Sequence, residues 1–350
     1  MVACLPCLYR RDLCRIQQLD FDKDEQPCGK TGRNRRHVIS STLMNDLSGK
    51  RIAIIGAGLS GIAVARGLTQ RGAAVTLMEK SRGFGGRCAS KRWEVHVIDH
   101  GAQYFTMRDE RFREAAVAAC GDALVQLNKP VRDENGHELP DSGRWIHRDG
   151  NSRLARDLAK GLEVRTECQI KDAHSLLAEF DQVVSSAPWP QTAKLFGIEP
   201  VFDYLPCLAV VLAYHGEWIG RSRETYAFSM PGKALAWAAC ENHKPGRIAP
   251  GFTVLVAHLG EAFSREHLEK MPAEYPALVR SMVEEHWEIP ADAFASAFGH
   301  RWRLARVASP LTVPTLPARM HFVGDAMRRS RVEDAWLTGH LFAQTTSFES

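Results

Sequence analysis

The residues best able to do chemistry lie just after the first strongly apolar run. Gly56-Ala57-Gly58-Leu59-Ser60-Gly61 follows Arg51-Ile52-Ala53-Ile54-Ile55, a short β-branched segment that reads as a buried parallel strand. Ile62, Ala63, Ala65 and Leu68 then continue at helical spacing to a stop at Arg71-Gly72. Each glycine has its own use: Gly56 turns the chain off the strand, Gly58 lets the backbone approach a pyrophosphate, and Gly61 lets the helix pack against the strand. The start of the helix, around Ser60, offers unpaired N–H groups and a positive dipole end to phosphate oxygens. Ala74–Met78 reads as a second strand closed by Glu79, 18 residues after Gly61, where a carboxylate can accept both hydrogen bonds of an adenosine ribose. Strand, loop, helix, strand and acid in this order predict a dinucleotide site. The unit fits FAD and NAD equally.

Lys80-Ser81-Arg82-Gly83-Phe84-Gly85-Gly86-Arg87 comes next. Gly85 and Gly86 permit close backbone approach, while Arg82 and Arg87 offer forks of donors to phosphate. A solvated surface loop is the bland reading of the same two arginines. Near the other end of the chain, Met320-His321-Phe322-Val323 reads as a buried strand that ends in the corner Gly324-Asp325. A helix should follow from Arg331, Val332 and Ala335, and Ser330 with Glu333 has the spacing of a capping box.

On these segments the chain resembles the flavin oxidoreductases that include the monoamine oxidases, phytoene desaturases and renalases. The resemblance implies FAD, with the Gly85-Gly86-Arg87 segment along its pyrophosphate and Asp325 at its ribityl chain or pyrophosphate. It also sets the helix start at Arg331, Val332 and Ala335 against the N1–C2=O edge of the flavin, with Lys80 among the cofactor residues. Within this group the chain is most similar to the bacterial renalase-like branch. Asp99-His100-Gly101-Ala102-Gln103-Tyr104-Phe105-Thr106 with Arg108-Asp109 and Phe112 carries that likeness. Ala187-Pro188 with Gln191, Trp237, Lys244-Pro245-Gly246-Arg247, His258, His300-Arg301-Trp302 and the run from Ser330 to Gly339 extend it. Gly101, Ala102, Gln103 and Pro188 are thereby implied at the cofactor, and Gln103, Tyr104, Trp237, His258, Arg301 and Trp302 at the substrate. The chain departs from the branch in a shortened segment at Gln169–Glu179, which includes Ile170, and in the basic run Ala326-Met327-Arg328-Arg329.

The elements that must position these residues follow from their order. An α/β fold is expected, with a Rossmann-like FAD/NAD(P)-binding domain assembled from 48–115, 145–190 and 298–346. Residues 116–144 and 191–297 should form an interleaved, largely antiparallel substrate domain. Alternation at Leu208–Tyr214, Leu235–Cys240 and Thr253–His258 fits roof strands, and Asn135-Gly136 is a preferred pair for a tight hairpin.

Composition narrows the classes. The chain has 350 residues, 25% of them charged, and a formal net charge of +4. Eight basic against five acidic residues fall in the first 43, so the remainder is near neutral and nucleic acid is not expected as a partner. No apolar run reaches the roughly 18 residues of a membrane span. Residues 1–43, with Cys4, Cys7, Cys14 and Cys28, lack periodicity and read as a disordered extension or a misassigned start before Met44; the Cys4 and Cys7 spacing alone does not make a zinc site, and no metal is expected. The scattered Cys88, Cys120, Cys168, Cys207 and Cys240 suggest reduced thiols in a cytoplasm.

The renalase-like resemblance implies oxidation of 2- or 6-dihydro isomers of NAD(P) to NAD(P)+, with dioxygen taking the electrons and hydrogen peroxide as product. Two other functions remain open on the sequence: a flavin-containing amine oxidase on the same scaffold, and a non-catalytic flavin- or dinucleotide-binding protein.

Overall fold

The structure, a computed structural model, describes residues 46–141, 143–200, 203–218 and 224–348. The expectations for residues 1–43 lie outside the described residues. Five strands form a parallel sheet in the order Met320–Phe322, Gln182–Ser185, Arg51–Ile55, Ala74–Met78, Glu163–Arg165. Ile52, Ile54, Val183 and Val184 are fully buried, as a sheet covered on both faces requires. The helix Leu59–Gln70 carries the chain from the first strand to its neighbour, and Gly72, at φ +90°, turns it back.

The C-terminal helix Val332–Thr345 packs on Leu59–Gln70 with almost no side chain between them. A Cβ on Gly67 would stand 2.5 Å from the Ala343 Cβ, and one on Gly339 would stand 2.2 Å from the Ser60 carbonyl oxygen. This close crossing brings the last segment of the chain to the first glycine loop. The expected capping box is not formed. Arg331 is the N-cap, the Ser330 hydroxyl accepts from the Val307 N–H, and Glu333 accepts from Thr106 Oγ1 and the Asp109 N–H at 2.7 Å each. Glu333 thus ties this helix to the start of a different one, Glu110–Cys120. The spacing alone could not show that more distant donors would compete for both side chains.

A second sheet has six strands in the order Phe294–Val307, Tyr204–His215, Phe252–Leu259, Leu235–Cys240, Ala227–Ser229, Val131–Arg132. All neighbours are antiparallel except the last pair. Leu208, Val210, Leu212 and Tyr214 face the helix Tyr275–Trp287, which the sequence reading did not anticipate although Tyr275, Val279, Val283 and Trp287 are buried at a spacing of four. The opposite face carries Val211, Ala213, Val254 and Val256 toward the hairpin of Ser90–Trp93 and His96–Asp99. Asn135-Gly136 makes its turn, with Gly136 at φ +85° and the Leu139 N–H on the Val131 carbonyl at 2.8 Å. The anticipated domain border at 298 falls inside the strand Phe294–Val307, which runs from the six-stranded sheet to Arg87 after the glycine-rich loop. Among the described residues no helix is long and apolar enough to cross a membrane.

A buried ion cluster ties the Ser90–Asp99 hairpin to the six-stranded sheet. Asp99 Oδ2 receives Lys244 Nζ at 3.0 Å and the Arg247 guanidinium at 3.1 Å, and its other oxygen receives Ser90 and the Asn151 N–H. Lys244 also meets Glu241 at 2.6 Å, and all four charged side chains are essentially inaccessible. Burial works against the Asp99 charge, but the two cations prevail and hold its carboxyl well below the usual range. Asp99, Lys244 and Arg247, which the sequence comparison grouped with site motifs, therefore brace the hairpin against the six-stranded sheet and stand beside the cavity without lining it.

Candidate functional site

One cavity of about 2140 Å³ lies between the sheets. That is roughly twice the upper end of ordinary ligand pockets, about 300–1,000 Å³, so it has room for a dinucleotide and a second ring system. Ten of its lining residues are basic and four acidic, a balance that suits phosphorylated occupants.

Its floor is the glycine loop. Gly56 (φ +100°), Gly58 and Ser60 line it, as do Glu79, Lys80, Gly85, Gly86 and Arg87. A Cβ on Gly58 would meet nothing within 4 Å, so the space before this residue is open. Ser60 is 4% exposed and its hydroxyl has no partner, and the helix it opens has no side-chain cap. Free backbone donors, an orphaned hydroxyl and open space together make a cradle that fits a pyrophosphate. Gly61 is not in the wall; it sits behind it, where a Cβ would be 2.1 Å from the Gly56 carbonyl oxygen. Glu79 is buried, receiving the Ala57 N–H at 2.9 Å and both the N–H and hydroxyl of Ser81. Arg82 is exposed and outside the lining.

Gly101, Ala102, Pro188, Gly324, Asp325, Arg331, Val332 and Ala335 line the same cavity. Arg87 and Asp325 hold each other in a two-pronged pair at 2.9 and 2.5 Å, and Arg87 also reaches the Ala305 carbonyl. Burial opposes the Arg87 charge, yet the Asp325 carboxylate more than offsets it and leaves the guanidinium more firmly protonated than usual. The pair clamps the glycine-rich loop to the C-terminal corner and to the roof strand. Ile170, in the shortened segment, lines the cavity from a stretch without strand structure.

The roof contributes a row of rings. Trp237 is paired with His258, His258 with Ala209, and Ala209 with His300 across successive strands, so their side chains share one face. Trp302, two residues after His300, lies on that face, stacks on His100 at 5.5 Å and 19°, and donates its indole N–H to the His100 carbonyl at 3.0 Å. His100 and His300 approach at 4.7 Å. Burial drives His100 and His258 down to about 4, so both rings are neutral near pH 7. His100 and His300 entered the sequence reading only as motif matches; the cross-strand register that gathers them is not legible in one strand.

Of the other expected substrate residues, one lines the cavity from the far side of its strand and two stand outside the lining. Arg301 projects from the opposite side of its strand, pairing in register with Leu208 of the helix-covered face and donating to the Leu268 carbonyl at 2.7 Å. Gln103 turns inward, its amide nitrogen on the Asp99 carbonyl, and Tyr104 packs on Trp237 beneath the Arg144 guanidinium. Neither lines the cavity.

The NAD(P)-binding Rossmann-like domain family matches residues 54–117. Protoporphyrinogen oxidase 2 of Arabidopsis thaliana is 42% identical over 104 residues, 30% of this chain and 18% of that protein. The chain spans only 14% and 18% of the lengths of two curated relatives it matches, the former being a carotenoid 3,4-desaturase of Haloarcula japonica. Among solved structures, reduced UDP-galactopyranose mutase superposes with a TM-score of 0.64 at 11% identity, over 84% of this chain and 94% of that one. Putrescine oxidase bound to putrescine gives 0.58 at 11% identity, over 84% and 98%. A mutase and an oxidase on one fold show that the fold does not choose the reaction. The chain thus carries an NAD(P)-binding Rossmann-like domain and shares the fold of putrescine oxidase.

Proposed function

We propose that the protein is an FAD-dependent, renalase-like oxidoreductase that converts 2- or 6-dihydro isomers of NAD(P)H, with dioxygen and a proton, to NAD(P)+ and hydrogen peroxide. The observation that carries this reading is the single cavity joining a pyrophosphate cradle to a wall of neutral rings. Gly58, Ser60, Glu79, Gly85, Gly86 and Arg87 would hold the adenosine and pyrophosphate half of FAD, and Gly324, Asp325 and the helix start at Val332 the flavin half. Bound there, FAD would supply a two-electron acceptor able to hand its electrons to dioxygen.

The chain's own part is positioning. Loss of hydride from a neutral dihydropyridine gives an aromatic cation and requires no base. The ring wall supports that chemistry, since His100 and His258 are neutral and the charge of Asp99 is already spent on Lys244 and Arg247. Trp302 and Trp237 offer flat faces, and their placement selects which ring carbon faces the flavin; a shift of about 1 Å can cost about a hundredfold in rate. None of the five described cysteines is in a disulfide, as suits a reducing compartment such as the cytoplasm.

Anaerobic mixing of the flavin-loaded protein with each dihydro isomer tests the reading. The 2- and 6-dihydro forms should bleach the flavin rapidly and ordinary 4-dihydro NADH poorly. Bleaching by simple amines alone would move the protein to amine oxidation, and bleaching by neither class would favour a binding role.

A further inference from the structure

Two unsatisfied groups stand side by side on the roof. His258 and Trp237 are cross-strand partners, and both line the cavity. Trp237 Nε1 and His258 Nε2 are buried, and neither has a hydrogen-bond partner. The indole nitrogen can only donate. The state of the imidazole follows from its other contact, a hydrogen bond to the His100 backbone that favours the protonated ring. Such a bond runs from a ring N–H to the carbonyl, and because Nε2 is unpartnered the donor must be Nδ1. A neutral ring with its proton on Nδ1 leaves Nε2 as a bare acceptor. Burial holds His258 at about 4, so no second proton arrives near neutral pH. Two neighbouring residues of the wall therefore carry one buried donor and one buried acceptor, each unfilled by the protein.

We infer that Trp237 and His258 together recognise a primary carboxamide on the ring being oxidised, Trp237 donating to its carbonyl and His258 Nε2 accepting from its NH2. This rests on the dihydronicotinamide reading above and adds the group by which the substrate is selected. A site built around a substrate N–H discriminates against analogues lacking it, because the buried acceptor is then left unpaired.

The test compares NAD+ with its 3-acetylpyridine analogue, which keeps the carbonyl and replaces NH2 by methyl. Binding of each to the flavin-loaded protein is read by titration calorimetry and by perturbation of the flavin spectrum. Wild type should bind the carboxamide form at least about tenfold more tightly. His258→Phe should remove that preference by weakening the carboxamide form alone, and His258→Gln, whose amide oxygen accepts, should keep part of it. Trp237→Phe should weaken both dinucleotides alike and leave the ratio. Retained flavin occupancy and melting temperature identify the variants that fold. Equal binding of the two dinucleotides by wild type overturns the inference while leaving the oxidase reading intact. A His258→Phe protein that loses flavin affinity but keeps the preference assigns Nε2 to the cofactor edge, and this also overturns it. If neither dinucleotide binds and no dihydro isomer bleaches the flavin, the inference falls together with the reading it rests on.

Discussion

Glu79 is placed to brace the fold and, as proposed, to hold a ribose. Its carboxylate already holds the Ala57 and Ser81 N–H groups, so it fixes the glycine loop before any ribose arrives. Glu79→Ala should therefore weaken flavin binding and loosen the loop, at about 1–3 kcal/mol for the unpaired buried donors. Flavin titration should show the dissociation constant rising about tenfold or more, and an unchanged constant would mean the ribose lies elsewhere. The buried histidines give a second prediction at this scale. His100, His258 and His321 are each lowered by burial from 6.5 to about 4, with His300 and Lys91 also acting against charge on His100, Lys244 and Arg306 against charge on His258, and Asp99 favouring it on His100. Below pH 6.5 the unfolded chain takes up protons that these folded rings refuse. Stability should therefore fall as pH drops from about 6.5, by about 1 kcal/mol per histidine between pH 7 and 5.5, and this loss should level off only below about pH 4. Urea unfolding across that range checks it; a flat midpoint would show that the rings are not held neutral.

Among elements, the joint between hairpin and roof concentrates risk. The Ser90–Asp99 hairpin meets the roof through Asp99, Lys244, Glu241 and Arg247, four buried charges that balance only as a set. Lys244→Met should cost about 3–5 kcal/mol, because Glu241 loses its cation while staying buried. Adding Glu241→Gln should recover part of the loss, and a double mutant no better than the single would show that the lysine acts through packing instead. Chemical denaturation of the single and double variants reads this directly. The helix pair behaves differently. Gly67 and Gly339 let Leu59–Gln70 and Val332–Thr345 touch backbone to side chain, so the loop that opens the first helix is seated by an element nearly 300 positions later.

For the whole molecule, the cavity between the two sheets implies that the bound cofactor is itself part of the fold's stability. A ligand at about a hundred times its dissociation constant adds about 2.7 kcal/mol. Stripping the flavin should lower the melting temperature by several degrees, and adding FAD back, but not riboflavin, should restore it if the pyrophosphate cradle carries the affinity. Restoration by riboflavin alone would contradict that. The sequence by itself determined the Rossmann-like unit, its acid at Glu79, the Gly324-Asp325 corner and the roof strands, because those signals are local: glycine spacing, β-branched runs and alternation act within about twenty residues. It did not determine which polar residues pair with one another. Whether Glu333 caps its own helix or another, whether Asp99 and Lys244 line the site or brace it, and which side of a strand Arg301 and Trp302 take all depend on partners far away in the chain. Only the tertiary structure decided those, since a buried charge or ring takes the partner that packing brings within reach, and one residue's shift along a strand reverses its face.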